Sequence, residues 1–170
     1  HVFKTIPESE RAPCLNVLLS QRPVLVVDTS KKQSPYFKLA SMLTRQGGEE
    51  PLKIVDFKDV KNERFGPLLL LGETGQVSEQ VGRPSKAAKP RRLAPLRTDL
   101  DFIAGTFNVR GKPFEKDSAL LAVWRNPANR KALVGCYTGQ SEAAVSRYRY
   151  VFYYGWDSYV VFQNGRPTLR

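Results

Sequence analysis

The chain has 170 residues, 41% of them hydrophobic and 25% charged. That suits one globular domain with a sizeable core, since a domain near this size buries about 70% of its unfolded surface. No apolar run approaches the roughly 20 residues that a membrane-spanning helix needs. The net charge of +11, from 27 Lys and Arg against 16 Asp and Glu, points to nucleic acid, an anionic surface or an acidic partner, or to a surface kept soluble by surplus charge.

The opening His1-Val2-Phe3-Lys4 carries neither an initiator Met nor a signal-peptide pattern, and reads as a cut within a longer protein with His1 left from a tag. Val2 to Ile6 suits a short edge strand. Pro7-Glu8-Ser9-Glu10 is a helix-start signal, with Pro near the first turn and acids where the helix dipole favours them. Pro13 limits that helix, so Cys14 to Ser20 is the firmer piece. Pro23 to Asp28 reads as a buried strand of the parallel kind. Ser34 is a good N-cap with Pro35 at the first helical position. Tyr36, Leu39, Ala40, Met42 and Leu43 then fall at helical spacing, and Gly47-Gly48 stops the helix.

Leu52 to Phe57 gives a second strand and Pro67 to Leu71 a third, so this half has the alternation of an α/β fold. Gly72-Glu73-Thr74-Gly75 follows directly. Glycines after a strand can cradle a phosphate if a helix opens behind them, but this spacing matches neither common nucleotide-binding pattern. An ordinary strand-to-helix loop is the simpler reading.

The stretch from Arg83 to Arg97 holds three prolines and six cations (Arg83, Lys86, Lys89, Arg91, Arg92, Arg97) with no acid, which leaves +5 for the remainder. It reads as a solvated, Pro-containing loop or linker. The six cations are candidate anion contacts, because Lys and Arg dominate non-specific nucleic-acid affinity. The stretch lacks the aromatic rings on which single-strand binders stack bases. Beyond it, Phe102 to Phe114 suits a hairpin.

The closing part organises the chain. Ala119 to Trp124 and Ala132 to Tyr137 flank the turn Arg125-Asn126-Pro127-Ala128-Asn129-Arg130 and should be neighbours in one sheet. Arg125, Asn126 and Arg130 are candidate ligand contacts at that turn, against a solvated rim. Ser141 and Glu142 open an expected amphipathic helix, with Ala144, Val145, Tyr148, Val151 and Phe152 on one face and Arg147 and Arg149 directed elsewhere. Gly155 is expected to end it in the left-handed conformation. Ser158 to Phe162 returns as a strand, and Asn164-Gly165 is a tight-turn signal leading out through Arg166-Pro167. Seven aromatics lie between Tyr148 and Tyr159. Most are expected to cover the sheet, with Tyr154 and Trp156 as the exposed, ligand-binding candidates.

Pro67 to Gly72, the N-P-A-N-R turn, the K-A-L-V-G-C-Y-T-G strand and Y-G-W-D-S-Y-V-V-F together resemble a recurring bacterial α/β module. In that module a strand–NPxNP–strand hairpin, a helix and a closing YGxxSYxVF strand follow one another, beside the catalytic domains of exported hydrolases and peptidases. The resemblance covers about residues 67–166, and this chain has Asn129 where the module has its second Pro. It implies an extracytoplasmic (periplasmic or secreted) accessory domain without catalytic residues, whose partners are neighbouring domains of the parent protein or another protein.

Catalytic patterns are sparse. His1 is the only histidine, which removes Ser-His-Asp and Cys-His catalysis and zinc sites that need His. Asp28, Asp56 and Asp59 lie near strand ends, where α/β sheets place ligands, and three such acids can hold Mg²⁺ in a small metal-dependent hydrolase. Acids at strand ends also serve as solvated groups or caps. Cys14 and Cys136 are too far apart in sequence for a local zinc or CxxC site. They read either as one disulfide or as two buried thiols.

The expectation is therefore one α/β domain over residues 1–170, a three-layer sandwich with a mostly parallel, mixed sheet and helices on both faces. No cofactor, metal or membrane span is expected. A non-catalytic accessory role leads, with a basic nucleic-acid-binding module using Arg83 to Arg97, Arg125 and Arg130 as the alternative.

Overall fold

Continuous apolar runs require a sheet covered on both faces, and the computed structural model builds one. It describes residues 11–46, 48, 50–81, 93–95, 99–103 and 105–170. The expected strand over residues 2–6, the helix start at 7–10 and the six cations of the 83–97 stretch lie outside these residues.

The first elements are helix α1 (Leu15–Ser20), strand β1 (Val24–Val27), helix α2 (Pro35–Gln46), strand β2 (Ile54–Val55), strand β3 (Leu68–Glu73) and helix α3 (Thr74–Val81). Strands β4 (Leu100–Ile103), β5 (Thr106–Val109), β6 (Lys112–Pro113), β7 (Ser118–Arg125), β8 (Leu133–Gly139), β9 (Tyr159–Gln163) and β10 (Arg166–Leu169) follow. Short 3₁₀ helices occupy Phe57–Asn62 and Tyr148–Tyr154. Ser34 Oγ accepts the Phe37 N–H at 3.2 Å, the capping bond expected before α2.

Seven strands form one sheet in the order β10-β9-β7-β8-β3-β1-β2, and β4-β5-β6 form a second, antiparallel one. In the large sheet β2, β1, β3 and β8 pair in parallel, whereas β7, β9 and β10 join antiparallel. Half of its six pairings are parallel, so the sheet is mixed rather than mostly parallel. Strand β10 extends the sheet where the sequence suggested only an exit.

The alternation of side chains divides the apolar runs between two cores. Leu25, Val27, Leu69, Leu71, Leu121, Val123, Tyr137 and Val160 face α1, α2 and the Tyr148–Tyr154 segment. Val26, Leu68, Leu70, Leu120, Trp124, Val134, Cys136 and Val161 face α3 and the small sheet, through Val77, Val81, Phe102, Phe107 and Phe114. Helices thus cover one face, but α3 and a three-stranded sheet share the other. The hairpin that covers this second face is the one expected between Phe102 and Phe114.

Cys14 belongs to the first core and Cys136 to the second, and both are buried free thiols. The sheet stands between them, which removes the disulfide alternative. Burial pushes the Cys136 thiol far above its ordinary value, so it stays protonated and unreactive.

Candidate binding site: an aromatic ridge beside two arginines

Open α/β sheets bind ligands beyond the carboxyl ends of neighbouring strands whose following helices lie on opposite faces. Here β1 and β3 are such a pair, followed by α2 on one face and α3 on the other. Local bonds already occupy the groups at this point. Asp28 Oδ1 accepts the Ser30 N–H at 3.0 Å, and Asp56 Oδ2 accepts from the Thr29 N–H at 3.1 Å and its hydroxyl at 2.7 Å. Asp56 Oδ1 also caps the Phe57–Asn62 turn through the Lys58 N–H. Lys31 pairs with Glu73 at 3.5 Å across the two strand ends.

The expected glycine loop is absent. Strand β3 runs through Gly72 to Glu73 and α3 opens at Thr74. A Cβ on Gly72 would lie 2.8 Å from the Phe57 ring, so this glycine serves close packing rather than a phosphate cradle. Among the described residues no group of three or more His, Cys, Asp or Glu stands close enough to hold a metal. Asp59 sits apart on the 3₁₀ turn.

These bonds carry a pH dependence. The Ser30 hydroxyl and N–H hold the Asp28 carboxyl below its usual value, and the Thr29 hydroxyl does the same for Asp56. A carboxyl depressed in the folded state stabilises the fold above its unfolded pKa and loses that contribution as pH falls through the folded value. Urea midpoints should therefore decline as pH is lowered through and below the ordinary carboxylate range. Asp56→Asn should flatten part of that decline; an unchanged profile would show that the bonds do not form in solution.

The N-P-A-N-R turn is architectural. Asn126 is fully buried, and its Nδ2 donates to the carbonyls of Arg64 at 2.8 Å and Gly66 at 3.0 Å, while Oδ1 accepts the Ala128 N–H at 2.9 Å. Arg125 donates to the carbonyls of Arg130 and Arg11. Asn126, a candidate ligand contact in the sequence, here clamps the β7–β8 turn to the loop before β3. Arg130 stays exposed at the same end of the sheet.

The site that the structure does assemble lies over the first core. The expected α-helix after Ser141 is instead a series of turns leading into the 3₁₀ helix Tyr148–Tyr154. Its residues are weak helix formers, so packing sets the winding. Gly155 has φ −63°, not a left-handed value, and a Cβ there would fall 2.3 Å from the Asn16 Oδ1 of α1. Close approach to α1 is what requires a glycine at this position. The Gly155 carbonyl also accepts the Asn16 N–H at 2.9 Å.

A 3₁₀ helix has three residues per turn, so side chains three apart line up. Arg147, Tyr150, Tyr153 and Trp156 form the outer row, and the Asp157 N–H to Tyr154 carbonyl bond at 3.1 Å carries the winding past its end. Tyr150, Tyr153 and Trp156 are 55%, 79% and 78% exposed, and the two tyrosine rings stack with centroids 5.9 Å apart. Tyr148, Val151 and Tyr154 form the inner row against the core. Of the two rings expected at the surface, Trp156 is there. Tyr154 is half-buried instead, edge-on to Phe162 at 5.3 Å with the Arg170 guanidinium over it at 5.0 Å.

Beside this row is a groove of about 210 Å³ with a floor of Tyr137, Tyr154 and Phe162 and a rim that includes Arg147 and Arg166. The β9–β10 turn, Asn164 at φ 50° and Gly165 at φ 71°, brings Arg166 round to it. A Cβ at Gly165 would touch the Arg147 stem at 2.6 Å, so that stem lies directly over the turn. Neither Arg147 nor Arg166 has an acidic partner among the described residues. A second, basic groove, with Lys32, Lys38, Arg45 and Arg149 among its walls, lies between α2 and the Tyr148–Arg149 segment. Tyr150, Tyr153, Arg147 and Arg166 were not singled out from the sequence; the signal available was the three-residue spacing from Arg147 to Trp156.

No family model and no curated protein gives a match to this sequence.

Proposed function

We propose that this chain is a non-catalytic accessory domain of a larger, exported bacterial protein, and that it holds an anionic partner while chemistry takes place elsewhere. The observation that carries this reading is the exposed row Tyr150-Tyr153-Trp156 set beside two arginines with no acidic partner among the described residues. Three large rings grouped in solvent mark an interaction surface more than a chance arrangement. Arginine beside aromatic rings suits a ligand with both negative charge and flat apolar faces. The accessory role and export rest on the resemblance over residues 67–166, which spans the centre of the sheet from β3 to β9.

Thermal unfolding in low salt tests the reading. A ligand that binds only the folded state raises stability, by about 2.7 kcal/mol at a hundredfold excess over its Kd. For a chain of this size that is a rise in Tm of roughly 5–10 °C. Polyglutamate, polygalacturonate and oligodeoxythymidylate are the anionic probes, and dextran is the neutral one. At least one anionic probe should raise Tm, dextran should not, and the triple variant Tyr150→Ala/Tyr153→Ala/Trp156→Ala should lose the rise. No rise with any anionic probe would overturn the proposal.

A further inference from the structure

We infer that the anionic partner is single-stranded nucleic acid, laid along the ring row with its backbone on the cations that flank it. The inference rests on the binding role proposed above and names the ligand class for that same face. Single-strand sites combine a positive groove that tracks the backbone with aromatic rings on which successive bases stack, and they tolerate sequence because every base has a flat face. Both parts are present on one surface.

The rings are Tyr150, Tyr153 and Trp156, spaced one 3₁₀ turn apart, roughly 6 Å along the axis. The charges are Arg147 and Arg166 on the rim of the aromatic groove, with Lys32, Lys38, Arg45 and Arg149 in a second groove on the α2 side of the same 3₁₀ segment. A compact anion would need only the two rim arginines. Cations on both sides of the ring row fit a linear polyanion, and the rings favour one that carries bases over an acidic peptide or a polyuronate. Duplex DNA fits less well, because its bases are stacked on each other and offer no face to the rings.

The test uses the whole chain and fluorescence anisotropy with a labelled twelve-residue oligodeoxythymidylate and a duplex of equal length. The single strand should bind the tighter of the two. The triple ring variant should weaken single-strand binding at least tenfold, given about 1–3 kcal/mol per stacked base. Arg147→Gln/Arg166→Gln should lower the slope of log affinity against log salt by about 1.4, the value expected for two lost phosphate contacts on a single strand. Lys58→Gln/Lys61→Gln, on the opposite face of the sheet, should change affinity by less than about twofold, as expected for phosphate contacts that are absent there. All these substitutions are at exposed positions, and circular dichroism checks that each variant folds.

Three results would overturn the inference. One is single-strand binding that the ring variant leaves intact, which would place the contact on other cations. Another is equal or tighter duplex binding. The third is displacement of the oligonucleotide by polyglutamate or polygalacturonate at lower concentration than unlabelled oligonucleotide, which leaves the accessory binding role standing with a different ligand. If no anionic probe binds in either experiment, the binding role falls as well.

Discussion

Trp124→Ala is expected to destabilise the fold by about 3–5 kcal/mol, the range for emptying a large aromatic site in a packed core. Trp124 is 2% exposed, in the last turn of pleat before the β7–β8 turn, and its ring fills the second core beneath the small sheet. Its Nε1 donates to the Leu93 carbonyl at 2.9 Å, which ties Leu93 to the sheet. Alanine leaves both a cavity and an unpaired buried carbonyl, and the two costs add. Against a total stability of roughly 5–15 kcal/mol this is a large fraction. Urea unfolding measures it. Trp124→Phe, which keeps most of the volume but loses the donor, should cost distinctly less. A loss under about 1 kcal/mol for the alanine variant would contradict the placement of this ring.

Asn126→Ala is expected to cost about 1.5–4.5 kcal/mol, at roughly 0.5–1.5 kcal/mol for each of three side-chain hydrogen bonds. Two of them are donated to carbonyls of the loop before β3, and the third accepts the Ala128 N–H that shapes the turn. Asn126→Asp should be worse than alanine, because it removes both donors and sets a carboxylate against two carbonyl oxygens. Asn129 makes similar bonds at the surface, its Nδ2 donating to the Phe65 carbonyl at 2.9 Å and its Oδ1 accepting the Lys131 N–H at 3.2 Å. Water can replace those, so Asn129→Ala should cost under about 1 kcal/mol. An Asn126 variant as mild as the Asn129 one would overturn the clamp role.

The sheet was legible in the sequence because its signals are local. Runs such as Leu68 to Leu71 and Ala119 to Trp124 are too apolar to face water on either side, and they appear as β3 and β7. Ser34-Pro35 marked the start of α2 by residue chemistry alone. Strand β10 was missed because Arg166-Pro167-Thr168-Leu169 has no apolar rhythm; it pairs only as an edge, where a proline is tolerated. The second face was misjudged because the Phe102 to Phe114 hairpin gave no sign of which surface it would cover.

The binding face was hidden for a different reason. Ala144, Val145, Tyr148, Val151 and Phe152 suit an α-helical stripe, and nothing local distinguishes that winding from the tighter one. What distinguishes them is the contact between Gly155 and Asn16, residues that meet only after α1 packs on the sheet. Once the winding is three per turn, Tyr150, Tyr153 and Trp156 align outward and Tyr154 turns in. Arg166 reaches the same groove only because the Asn164-Gly165 turn folds β10 back. Asn126 follows the same logic, since its turn was readable but its two carbonyl partners lie some 60 residues earlier.

Acrylamide quenching of tryptophan fluorescence tests the central claim most directly. Trp124 is buried and Trp156 is 78% exposed, so the quenchable emission belongs to Trp156 alone. Saturating single-stranded oligodeoxythymidylate should shield that component and leave the Trp124 emission unchanged. Oligonucleotide bound to the protein, as judged by anisotropy, with Trp156 still quenched as freely as in the unbound chain would contradict the account.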